Sequence, residues 1–211
     1  MHTIRSTVAA FLAFMCIARA AAAGDELNVD ASLDLRQPNA GGAQPAEEPR
    51  RPFGAQGQEH LLAWSGAGFG LESEDATDVP GTFGYSRFIA DDIEFSAELT
   101  LWGHFQDGDD AAGINPGFNL RWHFLNRDTW TLFADAGVGV LASTDDVPDG
   151  GTSFNFTPRA GGGATLRITD GGVRLIGGVR WHHISNARIE GEENNPDRDG
   201  ILVYGGLVFP F

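Results

Sequence analysis

Lysine is absent from this chain: all 14 of its basic residues are arginine, set against 29 aspartates and glutamates for a formal net charge of −15. Contacts along a nucleic acid need a basic face, so this balance excludes nucleic acid as a natural partner. Cysteine is nearly absent too. Cys16 stands alone, and it falls within residues 1–23, which read as a secretory signal peptide. There Arg5 supplies the positive start, Val8 to Ile17 the apolar run, and Ala21 and Ala23 a small-residue cleavage site. A chain cut at that site keeps no cysteine and forms no disulfide. Long hydrophobic runs are the third lack. No stretch after the signal approaches the roughly 18 uninterrupted apolar residues of a membrane helix. That leaves the other way of crossing a bilayer, with short strands of alternating polarity.

What the chain does have is alternation. Residues 24–58 are rich in Ala, Pro, Gly, Gln and acids with little hydrophobic period, and they read as a disordered leader. The rest, 59–211, reads as one domain of eight alternating segments, near 60–71, 82–89, 92–105, 113–125, 129–142, 154–168, 173–186 and 200–211. In the fourth, Ile114, Phe118, Leu120, Trp122 and Phe124 share one face while Asn115, Asn119, Arg121 and His123 share the other. Periodicity alone does not say which face is inside. A soluble lipocalin-like carrier buries the apolar face, whereas an outer-membrane barrel turns it to lipid. The polar faces carry Glu94, Glu98 and Asp135, and arginine recurs on them strand after strand. Mixed charge of that kind can fill a narrow barrel as a paired network with no open pore. The expectation is therefore an all-β fold, an eight-stranded antiparallel transmembrane β-barrel of the bacterial outer membrane. Phe95, Leu99, Phe118, Leu120, Trp122, Leu132, Leu175 and Val179 should face outward. Glu94, Glu98, Arg121, Arg159, Arg167 and Arg180 should face inward and pair.

The connections support that polarity. Long ones, 72–81, 106–112, 143–153 and 187–199, alternate with short ones, 90–91, 126–128 and 169–172. Outer-membrane barrels have long external loops and short periplasmic turns, which puts the N- and C-termini on the periplasmic side. The long loops hold most of the acids. These read either as solvated loop charge or as places where divalent ions bridge to lipopolysaccharide phosphates. At the end of the chain Val203, Gly205, Leu207, Phe209 and Phe211 alternate to a terminal aromatic, which resembles the last strand of bacterial outer-membrane proteins.

One strand carries chemistry. From Val173 to Ser185 one face is apolar and ends in Trp181, His183 and Ser185; His182 points the other way, into the barrel, and reads as structural. Serine is a weak nucleophile unless a base takes its proton, and a third group usually orients that base. His183 and Ser185 share a face, although the roughly 7 Å strand repeat means that the two side chains must lean together. Asn186 can offer its backbone N–H or side-chain amide to an oxyanion. A base and a nucleophile at the end of a lipid-facing stripe suggest a site aimed at lipid.

Three stretches resemble the lipid A 3-O-deacylase family: Phe154-Asn155-Phe156-Thr157-Pro158 with Gly161-Gly162-Gly163, then Arg180-Trp181-His182-His183-Ile184-Ser185-Asn186-Ala187, then Asn195-Pro196. The resemblance implies an eight-stranded outer-membrane acyl hydrolase of a Gram-negative bacterium. It implies His183 as general base, Ser185 as nucleophile, and hydrolysis of the ester-linked acyl chain at position 3 of lipid A. Lipopolysaccharide in the outer leaflet and the surrounding membrane lipid become the partners, and the chemistry implies no metal or organic cofactor. Monomer and homodimer both stay open. Two positions depart from the family pattern. Arg188 stands where a glycine usually follows Ser-Asn-Ala, and Leu202 stands where a glutamate usually follows an Asp-Gly-Ile segment. The orienting acid then falls to the loop before the last strand: Asp199, nearest that strand, or Asp197, Glu193, Glu192 or Glu190. The alternatives are a His-Ser dyad or a non-enzymatic structural or adhesive barrel with a degraded site. Arg188 and Arg198 can meet lipid A phosphates or pair with the loop glutamates.

Overall fold

Alternation carried through segment after segment leaves the chain one regular structure to form, the strand. The computed structural model describes residues 51–71, 76–189, 191 and 195–211. The expected signal peptide, most of the expected leader, and Glu190, Glu192 and Glu193 lie outside the described residues. The strands are β1 (Glu59–Gly70), β2 (Thr77–Ala90), β3 (Ile93–Phe105), β4 (Ala111–Asn126), β5 (Trp130–Ser143), β6 (Phe154–Phe156), β7 (Arg159–Arg167), β8 (Arg174–Ile184) and β9 (Arg198–Pro210). Each pairs antiparallel with its neighbour, β1 pairs with β9, and β4 pairs with β5, so the sheet closes. β6 and β7 both pair with β5 and together fill one position, broken at Thr157-Pro158. Proline has no N–H to give to a ladder, which is why the break falls there. The result is an eight-stranded barrel.

Its polarity follows the alternation. Phe95, Leu99, Phe118, Leu120, Trp122, Leu175 and Val179 are exposed on the outside, and Leu132 is half-buried. Glu94, Glu98, Arg121, Arg159 and Arg180 are buried inside. Arg121 Nη1 lies 2.5 Å from Glu94 Oε2, Arg159 Nη2 lies 3.1 Å from Glu98 Oε2, and Arg180 Nη2 lies 2.7 Å from Asp135 Oδ2. The Arg180 guanidinium also sits over the rings of Tyr204 and Trp64, at 4.6 and 5.1 Å. A soluble carrier would have the two faces exchanged. Arg167 departs from the inward set: it is half-exposed at the rim, where Nη1 reaches Asp128 Oδ2 at 2.9 Å.

The largest departures from the expected boundaries are at the start of β2 and in residues 51–58. β2 begins at Thr77, so the first connection is shorter than 72–81. Asp78-Val79-Pro80-Gly81 carries turn residues, yet it pairs with β3 as a strand. Asp78 is tolerated on the inner face because cationic and imidazole groups wait for it there. At the opposite end, residues 51–58 are not loose leader. Phe53, the one aromatic of the leader, packs against His60, Phe88 and His123 at centroid distances of 5.3, 5.2 and 5.3 Å. The Arg174 guanidinium lies 3.8 Å over its ring. Asp92 N donates to Gly54 O at 2.8 Å and Phe53 N to Asp128 Oδ1 at 3.1 Å, which ties the segment to two short turns. The short turns, Glu59 and Phe211 are therefore at one end of the barrel. The longer connections that follow β3, β5 and β8 are at the other, and that is where β8 delivers His183.

Candidate active site

β8 ends at Ile184, and the next residue leaves the ladder for a single bridge. Ser185 and Phe156 exchange backbone hydrogen bonds, Phe156 N to Ser185 O at 2.7 Å and Ser185 N to Phe156 O at 3.2 Å. His183 N donates to Pro158 O at 3.0 Å. The break at Pro158 thus lets β6 take up the end of β8 and fix the peptides on either side of the reactive face.

On that face His183 stands directly opposite Asp199 in the β8–β9 register. Its Nδ1 lies 3.0 Å from Asp199 Oδ1, and its Nε2 lies 2.9 Å from Ser185 Oγ. A carboxylate only accepts, so Nδ1 carries the proton and Nε2 is the lone-pair nitrogen facing the serine hydroxyl. The strand repeat is overcome because Ser185 has already left the ladder. Trp181, two residues before His183, stacks its indole on the imidazole at 5.9 Å and 29°. Its Nε1 donates to Asp199 Oδ1 at 2.8 Å. Ser185 is buried, while the His183 and Asp199 side chains are about one-fifth and one-third open. The arrangement can move a proton from a serine hydroxyl to an imidazole braced by a carboxylate.

Leu202 explains its own substitution. It lies opposite Arg180 on the inner face and is 1% exposed, so it is on the wrong side of the wall to reach His183. Asp199, three residues earlier, is on the right side.

The remaining sequence candidates divide. Asn186 is buried beside Ser185; its backbone N–H is given to Asn195 Oδ1 at 2.9 Å, and its side-chain oxygen accepts from Arg188 N at 2.8 Å. The backbone donor named from the sequence is therefore turned into the loop. Ala187 and Arg188 hold positive φ angles of 54° and 62°. Such a conformation costs an L-residue about 1–2 kcal/mol, and it sits where the family pattern has glycine. Arg188 is exposed on this loop. Arg198 is not available to a phosphate: it is buried on the inner face, with Nη1 3.0 Å from Asp78 Oδ1 and Nη2 donating to Gln106 Oε1. It sits one residue before Asp199, and alternation sends it inward. His182 points inward as expected, its Nε2 3.0 Å from Asp78 Oδ2. Among the described residues no group of three or more His, Cys, Asp or Glu side chains is arranged to hold a metal ion.

The sequence put Trp181 on the face of His183 without giving it a role, and it put Asp78 in a loop. The signal for Trp181 was present, since residues two apart on a strand share a face. Asp78 gave none, because it reads as a loop acid.

The neisserial surface protein NspA has the same fold, with a TM-score of 0.51 and 15% identity over 73% of this chain and 96% of that one. The crystal structure of the outer membrane enzyme PagL aligns with a TM-score of 0.44 and 22% identity over 72% of this chain and 99% of that one. No curated protein sequence matches. The family model described as lipid A 3-O-deacylase (PagL) matches residues 76–197, more than half of the chain, with His183, Ser185 and Asn186 inside the match and Asp199 two residues beyond it. The chain belongs to the lipid A 3-O-deacylase (PagL) family.

Proposed function

We propose that this protein is an outer-membrane serine esterase that removes the ester-linked acyl chain at position 3 of lipid A. The observation that carries the reading is the single imidazole hydrogen-bonded to Ser185 on one side and Asp199 on the other. Ser185 Oγ attacks the ester carbonyl as His183 Nε2 takes its proton. Asp199 accepts from Nδ1 and stabilises the imidazolium that forms. Collapse of the tetrahedral intermediate breaks the bond to the sugar oxygen, which leaves with the proton from His183. Water, deprotonated by the same imidazole, then releases the fatty acid from Ser185. The side-chain NH2 of Asn186 supports the oxyanion, and Arg188 contacts a phosphate of the glucosamine backbone. Neither metal nor organic cofactor takes part.

The place of His183 on the barrel wall supports the same reading. Trp181 and Val179 continue the face of His183 down the exposed apolar band. An ester at the base of a lipid headgroup lies at the edge of such a band, while its acyl chain lies along it. In this reading the longer loops are external, the chain ends are periplasmic, and the protein resides in the outer membrane of a Gram-negative bacterium. The test is the release of 3-hydroxy fatty acid from lipid A by purified protein in detergent. Release by the parent and none by Ser185→Ala supports the reading; equal release by both removes Ser185 from it.

A further inference from the structure

Behind the reactive pair, on the inner face of the same wall, side chains from three other strands converge on one carboxylate. Asp78 on β2 is fully buried. Its Oδ1 accepts from His104 Nδ1 on β3 at 2.7 Å and from Arg198 Nη1 on β9 at 3.0 Å, and its Oδ2 accepts from His182 Nε2 on β8 at 3.0 Å. Trp102 lies across both imidazoles, with centroid distances of 5.5 Å to His104 and 5.9 Å to His182.

The register gives this cluster a relation to the chemistry. His182 is the residue before His183, and Arg198 is the residue before Asp199. Both partners of the reactive pair sit at the last rungs of their ladder: β8 ends at Ile184, one past His183, and β9 begins at Arg198. Strand ends fray, and a backbone ladder holds its last rungs least firmly. Asp78 grips both strands there from the inside. The glycines beside it leave His182 no slack. A Cβ at Gly200 would stand 2.4 Å from His182 Cε1, and one at Gly68 would stand 2.9 Å from it. The imidazole fills a space that only glycine leaves open, so its position fixes where β8 lies against β9 and β1.

We propose that Asp78 is a positioning residue: by binding His182 and Arg198 together it sets the placement of β8 against β9 at the His183–Asp199 pair, and so holds His183 Nδ1 on its carboxylate. It touches no reacting atom and acts through the two backbones. The inference rests on the esterase reading of Ser185. A misplacement of about 1 Å in a catalytic constellation costs on the order of 100-fold in rate, so a device that fixes β8 against β9 from the inner face has a rate to protect.

A fluorophosphonate probe tests this without lipid A. Ser185 Oγ forms a bond to phosphorus, fluoride leaves, and the hydroxyl proton departs through His183. The full-length purified protein in detergent is used, with heat-modifiable migration and β-sheet circular dichroism as checks of folding. Asp78→Asn keeps the size and loses the charge. It is expected to remain folded, to label about 10-fold more slowly or worse, and to lower kcat on a soluble ester by the same factor with KM within about twofold. Arg198→Met should reproduce the loss, and Arg198→Lys, which returns a cation to Asp78, should recover most of it. Folded variants labelled at the parent's rate overturn the proposal. So does a raised KM with kcat unchanged, which would mark Asp78 as a binding element. Loss of the fold in both Asp78→Asn and Arg198→Met also overturns it, leaving the cluster a purely structural part of the barrel. A parent protein that the probe does not label at Ser185 overturns the esterase reading itself, a different result from any of these.

Discussion

Trp181 and His183 share one oxygen: the indole N–H and the imidazole Nδ1 both meet Asp199 Oδ1, at 2.8 and 3.0 Å. The carboxylate is therefore held by a neutral donor at the same time as it accepts from the imidazole. Trp181→Phe keeps an aromatic face against His183 and removes the N–H. It should lower kcat about 3- to 10-fold, the loss of one hydrogen bond of roughly 1 kcal/mol, and leave KM unchanged. Steady-state hydrolysis of a soluble ester reads this directly, and an unaltered kcat would remove the indole from the orienting network.

Asp199→Asn takes away the charge that stabilises the imidazolium. The rate should fall on the order of 100-fold or more, as it does when an orienting aspartate is neutralised in a serine hydrolase. Glu192→Gln and Glu193→Gln, at other acids of the same loop, should do little. Measured side by side, a large loss at either glutamate with Asp199→Asn unaffected would move the acid role along the loop.

The interior network predicts an asymmetry in stability. Glu94→Ala takes the nearer of two carboxylates from buried Arg121, leaving Asp135 Oδ2 at 3.5 Å from its Nε, and should cost about 3 kcal/mol. The exposed pair Arg87–Glu59, at 3.4 Å, should be worth less than about 1 kcal/mol, so Arg87→Ala should barely register. Urea unfolding of both variants in lipid vesicles decides it, and equal midpoints would contradict the paired-interior account.

Phe53 offers a test of the short-turn end. Phe53→Ala removes the ring seated against His60, Phe88 and His123 and under Arg174. Phe53 is half-buried, so its truncation should cost less than the about 3–5 kcal/mol of a fully buried aromatic, about 2 kcal/mol. The thermal transition of the barrel should fall accordingly while labelling of Ser185 at low temperature stays at the parent's rate; an unchanged transition would make 51–58 an ornament of the barrel.

How much of this could be read from the chain depends on the range of the interaction. Period-2 alternation is local, so the outward Phe118, Leu120 and Trp122 and the inward Glu94, Arg121 and Arg180 were legible residue by residue. Asp199 was legible too, because the loop returns to the strand that pairs with β8. The start of β2 was not. Asp78 and Pro80-Gly81 carry local turn signals, and only partners on three other strands make Asp78 an inner-face residue. Arg198 was misplaced for the same reason: it looked like a loop cation beside acids, and one step of strand alternation turns it inside. Leu202 was misleading in the opposite way, since it seemed to vacate the acid position but faces the interior, where a carboxylate could not serve His183. Residues 51–58 have no periodicity, and their order comes from one aromatic finding a ring of partners across the barrel end.

The central claim is that this barrel removes the 3-O-acyl chain of lipid A through Ser185. The most direct measurement is mass spectrometry of lipid A from Gram-negative cells lacking any other deacylase, producing either the parent chain or Ser185→Ala at equal outer-membrane levels. The account predicts lipid A lighter by one 3-hydroxyacyl chain at position 3 with the parent, and unaltered lipid A with Ser185→Ala. Identical, fully acylated lipid A from both would contradict it.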